Sequence, residues 1–214
     1  MRIGVLGTGE VGNRLGTKLA SLGHEVKMGS LTAQNPKAMA WAKASGAKAS
    51  AGTFADAAKH GEVVFNCTAG SASLEALKQA GASNLRGKVL IDVSNPLDFS
   101  KGMPPSLTLC NTDSLAEQIQ RSFPEAKVVK SLNTTSNPVM VNPGLIRGEH
   151  DVFVCGNDPQ AKAKVVEILR SFGWKNPIDL GDLTAARGLE MILPLWVRLM
   201  MTFQNPIFNF RIAR

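Results

Sequence analysis

The residues with the clearest chemical meaning stand near the start of the chain. Gly7-Thr8-Gly9-Glu10-Val11-Gly12 has G-x-G-x-x-G spacing, set between the apolar run Ile3 to Leu6 and a helical pattern. After a strand and before a helix, that spacing builds a pyrophosphate cradle. Gly7 permits the tight turn, Gly9 lets the anion approach the backbone, and Gly12 allows close helix–strand contact. The free amides of Gly9, Glu10 and Val11, with Thr8 before them, face the anion from the positive helix end. The end of the second strand then chooses between dinucleotides. A carboxylate there would accept hydrogen bonds from a free ribose 2′-hydroxyl. Met28-Gly29-Ser30-Leu31-Thr32 offers none. Ser30 and Thr32 can donate to a 2′-phosphate and Lys37 can supply charge, so NADP(H) is the expected coenzyme. Two later strand ends, Asn66-Cys67-Thr68-Ala69-Gly70 and Asp92-Val93-Ser94-Asn95-Pro96-Leu97, should border the same crevice. Thr68, Ala69, Asn95 and Pro96 are small or amide residues that suit a surface lying against ribose and nicotinamide.

What the sequence omits narrows the reaction. No Ser-His-Asp order, nucleophile elbow, H-E-x-x-H or CxxC pair occurs. His24 falls in a turn, His60 at a helix end and His150 before a strand, which are structural places. A dehydrogenase acting on a hydroxyl needs a positioned acid or base, and none can be assigned. Hydride exchange between NADPH and a flavin-like carrier needs mainly stacked rings at the right distance. The sequence therefore fits an NADP-dependent oxidoreductase working from carrier to carrier, with no catalytic side chain and no metal. A flavin or ferric reductase, an imine or keto reductase, and a non-catalytic NADP(H)-binding redox sensor are the alternatives.

These residues must be held by alternating elements. Strands are expected over 3–6, 25–28, near 48, and over 62–66, 89–92, 128–132 and 152–155. Helices are expected from Val11 to Leu22, and over 37–45, 53–60, 73–80 and 114–123, with a further one from Asp158-Pro159 to about Phe172. Repeated strand–helix units predict an α/β, Rossmann-type, doubly wound and mostly parallel sheet. Residues 1–181 would form that NADP-binding domain. Residues 182–214 would add a C-terminal helical segment, apolar on most sides between 182 and 203, that packs on the sheet or covers the cleft at a dimer interface. With 214 residues, one sizeable core is possible. A net charge of +7 favours anionic partners, but no basic block or aromatic–basic strip points to nucleic acid. The opening residues read as a buried strand rather than a signal peptide, and the apolar window 191–203 is too short for a membrane span. Cys67, Cys110 and Cys155 are read as free thiols in a reducing cytoplasm.

With these residues assembled, the chain resembles the NADP-dependent deazaflavin (coenzyme F-420) oxidoreductases, and through them the cytosolic reductase domain of membrane metalloreductases. The resemblance runs nearly end to end. It is carried by Met1 to Gly12, Leu22-Gly23-His24-Glu25-Val26 with Gly29-Ser30, Ile91 to Leu97, Lys127 to Thr134, Val154-Cys155-Gly156-Asn157-Asp158 and Asp179-Leu180-Gly181-Asp182-Leu183. It implies a small-molecule carrier, deazaflavin or flavin, as second substrate, with Asn133, Thr134 and Thr135 lying against its ring. It also implies pyrophosphate at Thr8 to Val11 and the 2′-phosphate at Ser30 and Lys37. Two positions depart from the family: its arginine after the Gly-Ser pair is Leu31, and a histidine of the deazaflavin enzymes is Asn133. A soluble cytoplasmic homodimer is the expected assembly.

Overall fold

The computed structural model describes residues 1–213. β1 (Arg2–Leu6) runs through the glycine turn into α1 (Glu10–Ser21), followed by β2 (Glu25–Ser30), α2 (Pro36–Ser45) and β3 (Ala49–Thr53). Next, α3 (Phe54–His60) carries the chain back across β1 to β4 (Val63–Asn66). α4 (Gly70–Ala80) and α5 (Ala82–Leu85) lead to β5 (Val89–Asp92), then to a hairpin of β6 (Leu97–Asp98) and β7 (Ser106–Leu107). After α6 (Leu115–Ser122) come β8 (Lys127–Ser131), α7 (Asn137–Val141), β9 (Val152–Gly156), α8 (Pro159–Phe172) and β10 (Pro177–Asp179). α9 (Ala186–Met191) and α10 (Leu193–Phe203) complete the helices.

Eight strands form one sheet in the order β10-β9-β8-β5-β4-β1-β2-β3. All neighbours pair parallel except β8 and β9, which are antiparallel. The order reverses between β1 and β4. A crevice must open there, outside the carboxyl ends of the strands, because the chain leaves in opposite directions on either side.

The two-residue period of the strands divides the core into two layers. Ile3, Val5, Phe65, Ile91, Val129 and Val154 pack with Leu15 of α1, Trp41 of α2 and Ile168 of α8. Leu6, Val64, Leu90, Val128 and Phe153 face the other way, against Leu77 of α4 and Ile119 of α6. Each fully buried Leu, Ile or Val side chain is worth about 1.5–3 kcal/mol over an exposed one. Local signals set the helix starts. The Asn35 side chain accepts from the amides of Lys37 and Ala38 at 3.0 and 3.1 Å, with Pro36 at the first helical position. Such a cap contributes about 1 kcal/mol. Thr53 and Asp56 form a capping box at α3, and Asp158 accepts from the Ala161 amide at 2.8 Å.

Three features differ from expectation. The third strand lies where it was expected, at Ala49–Thr53, but β10 and the β6–β7 hairpin are additional strands. The C-terminal segment is not one long helix but a 3₁₀ turn (Leu183–Ala185) followed by two helices. Pro194, in the first turn of α10, has no amide to continue the ladder from Glu190. Nor is the segment buried all round. Leu189, Leu193 and Val197 are buried, whereas Leu195, Met201 and Phe203 are exposed. Phe208 beyond the helix stacks on Trp196 with ring centres 5.2 Å apart. The tail then anchors to the start of β9, where the Asp151 amide donates to the Phe210 carbonyl at 3.0 Å.

Candidate functional site

The glycine turn takes the geometry its spacing requires. Gly7 has φ of +114°, and its amide donates to the Gly29 carbonyl at 2.9 Å, tying β1 to β2. A Cβ on Gly7 would lie 2.8 Å from the Cys67 carbonyl oxygen, and one on Gly12 only 2.1 Å from that of Gly7. No side chain caps α1, whose first helical bond runs from the Asn13 amide to the Gly9 carbonyl. The amides of the first turn are therefore left for an anion.

Two concavities flank this turn. The larger is a groove of about 1040 Å³ lined by Thr8, Gly9, Glu10, Arg14, Lys37 and Trp41 among others. It brings Lys37 to the glycine turn and adds Arg14 and Lys18, which the sequence reading overlooked although their four-residue spacing puts both on one face of α1. Ser30, Leu31 and Thr32 lie outside its lining. Ser30 is buried and its hydroxyl donates to the Thr32 carbonyl at 2.6 Å, while Leu31 is 68% exposed.

The smaller concavity, about 250 Å³, occupies the switch point. Val11, Thr68, Ala69, Asn95 and the hairpin residue Phe99 line it. Pro96 stands just behind, its carbonyl accepting from the Thr108 amide and hydroxyl at 2.8 and 3.2 Å. Asn133, two residues past β8, does not line the crevice but braces Asn95, which does. Its amide donates to the Asn95 side-chain oxygen at 2.9 Å and to the Leu189 carbonyl at 2.8 Å. The Asn95 amide returns a bond to the Asn133 carbonyl at 3.0 Å. Leu132, just before it, holds φ of +64° while its side chain is buried. Thr134 and Thr135 are buried beside Asn133 and do not line the crevice. Asn133 Oδ1, Thr135 Oγ1 and Ser136 Oγ are buried without a hydrogen-bond partner. Three such orphans in one loop call for a ligand or water, because burying unpaired polar atoms is costly.

Residues 2–96 match the family described as NADP oxidoreductase coenzyme F420-dependent. The chain is 32% identical over 162 residues to the F420-dependent NADP reductase of Methanocaldococcus jannaschii, covering 74% of this chain and 70% of that one. A solved structure from Arthrobacter sp. FB24, provisionally described as an F420-dependent NADP-reductase, superposes with a TM-score of 0.94 at 52% identity over the whole of both chains. This chain belongs to the coenzyme F420-dependent NADP oxidoreductase family. The same chain is 34% identical over 202 residues to rat metalloreductase STEAP3, covering 91% of itself but only 38% of that protein's length. The oxidoreductase thus spans little more than a third of the metalloreductase, and both likenesses read from the sequence are met.

Behind the crevice this oxidoreductase holds an ion network that the sequence reading missed. Lys130 donates to Asp92 at 2.7 Å and to Glu190 at 2.8 Å, with all three side chains at most 1% exposed. Burial alone would lower the ammonium pKa, but Asp92 and Glu190 outweigh it and hold Lys130 above its ordinary value. Burial pushes the Glu190 carboxyl up, against the pull of Lys130. One signal was available: Lys130 and Glu190 each interrupt an apolar run. Burial and Asp92 also raise the Cys67 thiol, so it stays protonated beside the crevice. His60 bonds the Glu25 carbonyl, His150 bonds the Pro143 carbonyl, and His24 lies 3.4 Å from the amino terminus. Among the described residues no group of His, Cys, Asp and Glu could hold a metal, and no helix is long and apolar enough to cross a membrane.

Proposed function

We propose that the oxidoreductase exchanges hydride between NADPH and a flavin-like carrier, with a deazaflavin such as coenzyme F-420 as the first candidate. The observation that carries this reading is the lining of the switch-point crevice. Val11, Thr68, Ala69, Ser94, Asn95, Leu97 and Phe99 include no acid or base, and Cys67 remains a thiol. Such walls can align two planar rings and exclude water, but they cannot shuttle a hydroxyl proton.

The chain's residues fit the coenzyme. The uncapped α1 terminus and the open space over Gly9 suit the pyrophosphate, held by Gly7, Thr8, Gly9, Glu10, Val11 and Gly12. Lys37 takes the 2′-phosphate side, whereas Ser30, whose hydroxyl already donates to the Thr32 carbonyl, Leu31 and Thr32 lie beyond the groove at the β2 end. Thr68, Ala69, Asn95 and Pro96 wall the nicotinamide side. The carrier's polar edge would lie toward the loop of Asn133, Thr134 and Thr135, where Asn133 Oδ1 and Thr135 Oγ1 are orphaned and Thr134 is not, although none of the three lines the crevice in this structure. Bound there, NADPH would supply a hydride, and the carrier would accept it together with one proton from solvent. The protein's part is alignment.

We further propose a cytoplasmic homodimer paired through the exposed Leu195, Met201 and Phe203 of α10, with residues 182–214 as an appendage to the dinucleotide domain of residues 1–181. Light scattering of the wild type and of Leu195→Glu tests the pairing. The function is tested by following NADPH and NADH absorbance at 340 nm against a deazaflavin, FMN, FAD, a ferric chelate and a cyclic imine. Oxidation of NADPH by the deazaflavin alone is the expected result. Preference for the imine or the chelate would overturn the carrier assignment. Tight binding with no turnover against any acceptor would favour a sensor instead.

A further inference from the structure

The buried network is more than filling. Replacing a buried ion pair with apolar side chains of similar size is often neutral or stabilising, so stability alone does not account for three buried charges. Its contacts converge on the crevice. Asp92 Oδ1 accepts from the Ser94 amide and hydroxyl at 3.2 and 2.6 Å and from the Asn66 amide at 2.9 Å. Asn66 Oδ1 in turn accepts the Thr68 hydroxyl at 2.6 Å. Lys130 Nζ donates to the Ser94 carbonyl at 2.5 Å. Ser94 is thus gripped at its amide, hydroxyl and carbonyl by two members of the network.

The third member reaches the same place from the far end of the chain. Glu190 accepts from Lys130 and from the Leu115 and Ala116 amides at 2.8 and 3.2 Å, at the start of α6. The preceding carbonyl, Leu189, accepts from Asn133, which also bonds Asn95. Two consecutive residues of α9 therefore hold two consecutive residues of the crevice wall: Glu190 holds Ser94 through Lys130, and Leu189 holds Asn95 through Asn133.

We infer that Glu190 is a positioning residue for hydride transfer, fixing the Ser94–Asn95 turn and the Thr68 hydroxyl through Lys130 and Asp92. The inference rests on the proposed reading that the nicotinamide enters this crevice. It separates binding from transfer, because Val11 of the glycine turn shares the crevice with these groups but no hydrogen bond joins the turn to Lys130, Asp92, Glu190, Ser94 or Thr68. A small misplacement of reacting rings is costly, on the order of 10- to 100-fold in rate.

The test compares wild type, Glu190→Gln, Lys130→Met and the double variant. Three quantities are read: the NADPH dissociation constant, the single-turnover rate of hydride transfer to a deazaflavin, and the amide resonances of Thr68, Ser94 and Asn95 in the NADPH complex. E190Q is expected to bind NADPH within about threefold of wild type and to transfer hydride roughly 10- to 100-fold more slowly. The three amides should shift, and the double variant should be no slower than K130M alone. If E190Q does not fold, Glu190→Asp, which keeps the charge and shortens the reach, must give the same split. A lower melting temperature with an unchanged rate and unmoved amides overturns the inference. So do parallel losses of binding and rate, or additive effects in the double variant. A wild type that binds NADPH but reduces no deazaflavin overturns the carrier assignment instead, and the amide shifts then decide the inference alone.

Discussion

Gly9→Ala separates what the glycine turn does for the coenzyme from what it does for the fold. Gly9 has φ of −73° and ψ of −176°, which any residue adopts. A Cβ there meets nothing within 4 Å. Two small terms act on stability and oppose each other. Alanine restricts the unfolded chain, which favours folding by about 0.4–1 kcal/mol. It is also a poorer helix N-cap than glycine, by a similar amount. The melting temperature should barely move. Coenzyme binding should fall sharply, because the added methyl stands where the pyrophosphate must approach. Losing two backbone bonds to a charged phosphate at about 1.5 kcal/mol each amounts to about 3 kcal/mol, or roughly a hundredfold in Kd. Gly12→Ala is the contrast. Its Cβ would sit 2.1 Å from the Gly7 carbonyl oxygen, a backbone atom that cannot swing away. That variant should be less stable by about 1–3 kcal/mol or more. Thermal melts and NADPH fluorescence titration measure both. If Gly9→Ala binds NADPH within threefold of wild type, the pyrophosphate does not lie on this turn.

Lys37→Ala should weaken NADPH about 5- to 10-fold, as expected for an exposed charged bond, and leave NADH unchanged in competitive titrations. Phe99 is 56% exposed at the crevice rim, so Phe99→Ala should not alter stability. It should raise the KM for a planar carrier by about 2- to 10-fold, the worth of one aromatic contact, with the KM for NADPH constant. Hydrogen bonds from Arg187 at 2.9 and 2.6 Å hold the Glu117 carboxyl below its ordinary value of 4.5. A depressed carboxyl stabilises the fold above its unfolded value and loses that contribution as pH falls through the folded one. Urea unfolding should therefore show stability dropping below pH 4.5, and Glu117→Gln should be less stable at neutral pH with a flatter acid slope.

The alternation of strand and helix was legible because both periods are written in the apolar residues. Ile3, Val5 and Leu6 or Val128 and Val129 already divide between two faces. The glycine turn was legible because its chemistry is local, complete within six residues. β10 and the β6–β7 hairpin were not, since elements of two or three residues carry no period to detect. The antiparallel setting of β9 left no mark either, because strand direction depends on the path of the loop and not on the residues of the strand. The break at Pro194 is legible too, because a proline inside a helical pattern removes an amide from the ladder. Asp92, Lys130 and Glu190 come together only in three dimensions, from β5, β8 and α9. Asn133, named for the carrier ring, proves to be a bridge between Asn95 and Leu189 as well.

Leu132 sets a limit on how this site can change over generations. Its left-handed backbone, φ of +64°, costs on the order of 1 kcal/mol and would be relieved by glycine. Yet its side chain is 2% exposed in the core, and removing it would forfeit about 2–5 kcal/mol. The single-step escape from the strain is thus closed by a larger loss. The bend that turns the chain into Asn133 is therefore inherited as a unit with the core beneath it. Drift can reach the polar residues that follow the bend far more readily than the bend itself, so new acceptor preferences should arise at positions 133–136 on a backbone that stays the same.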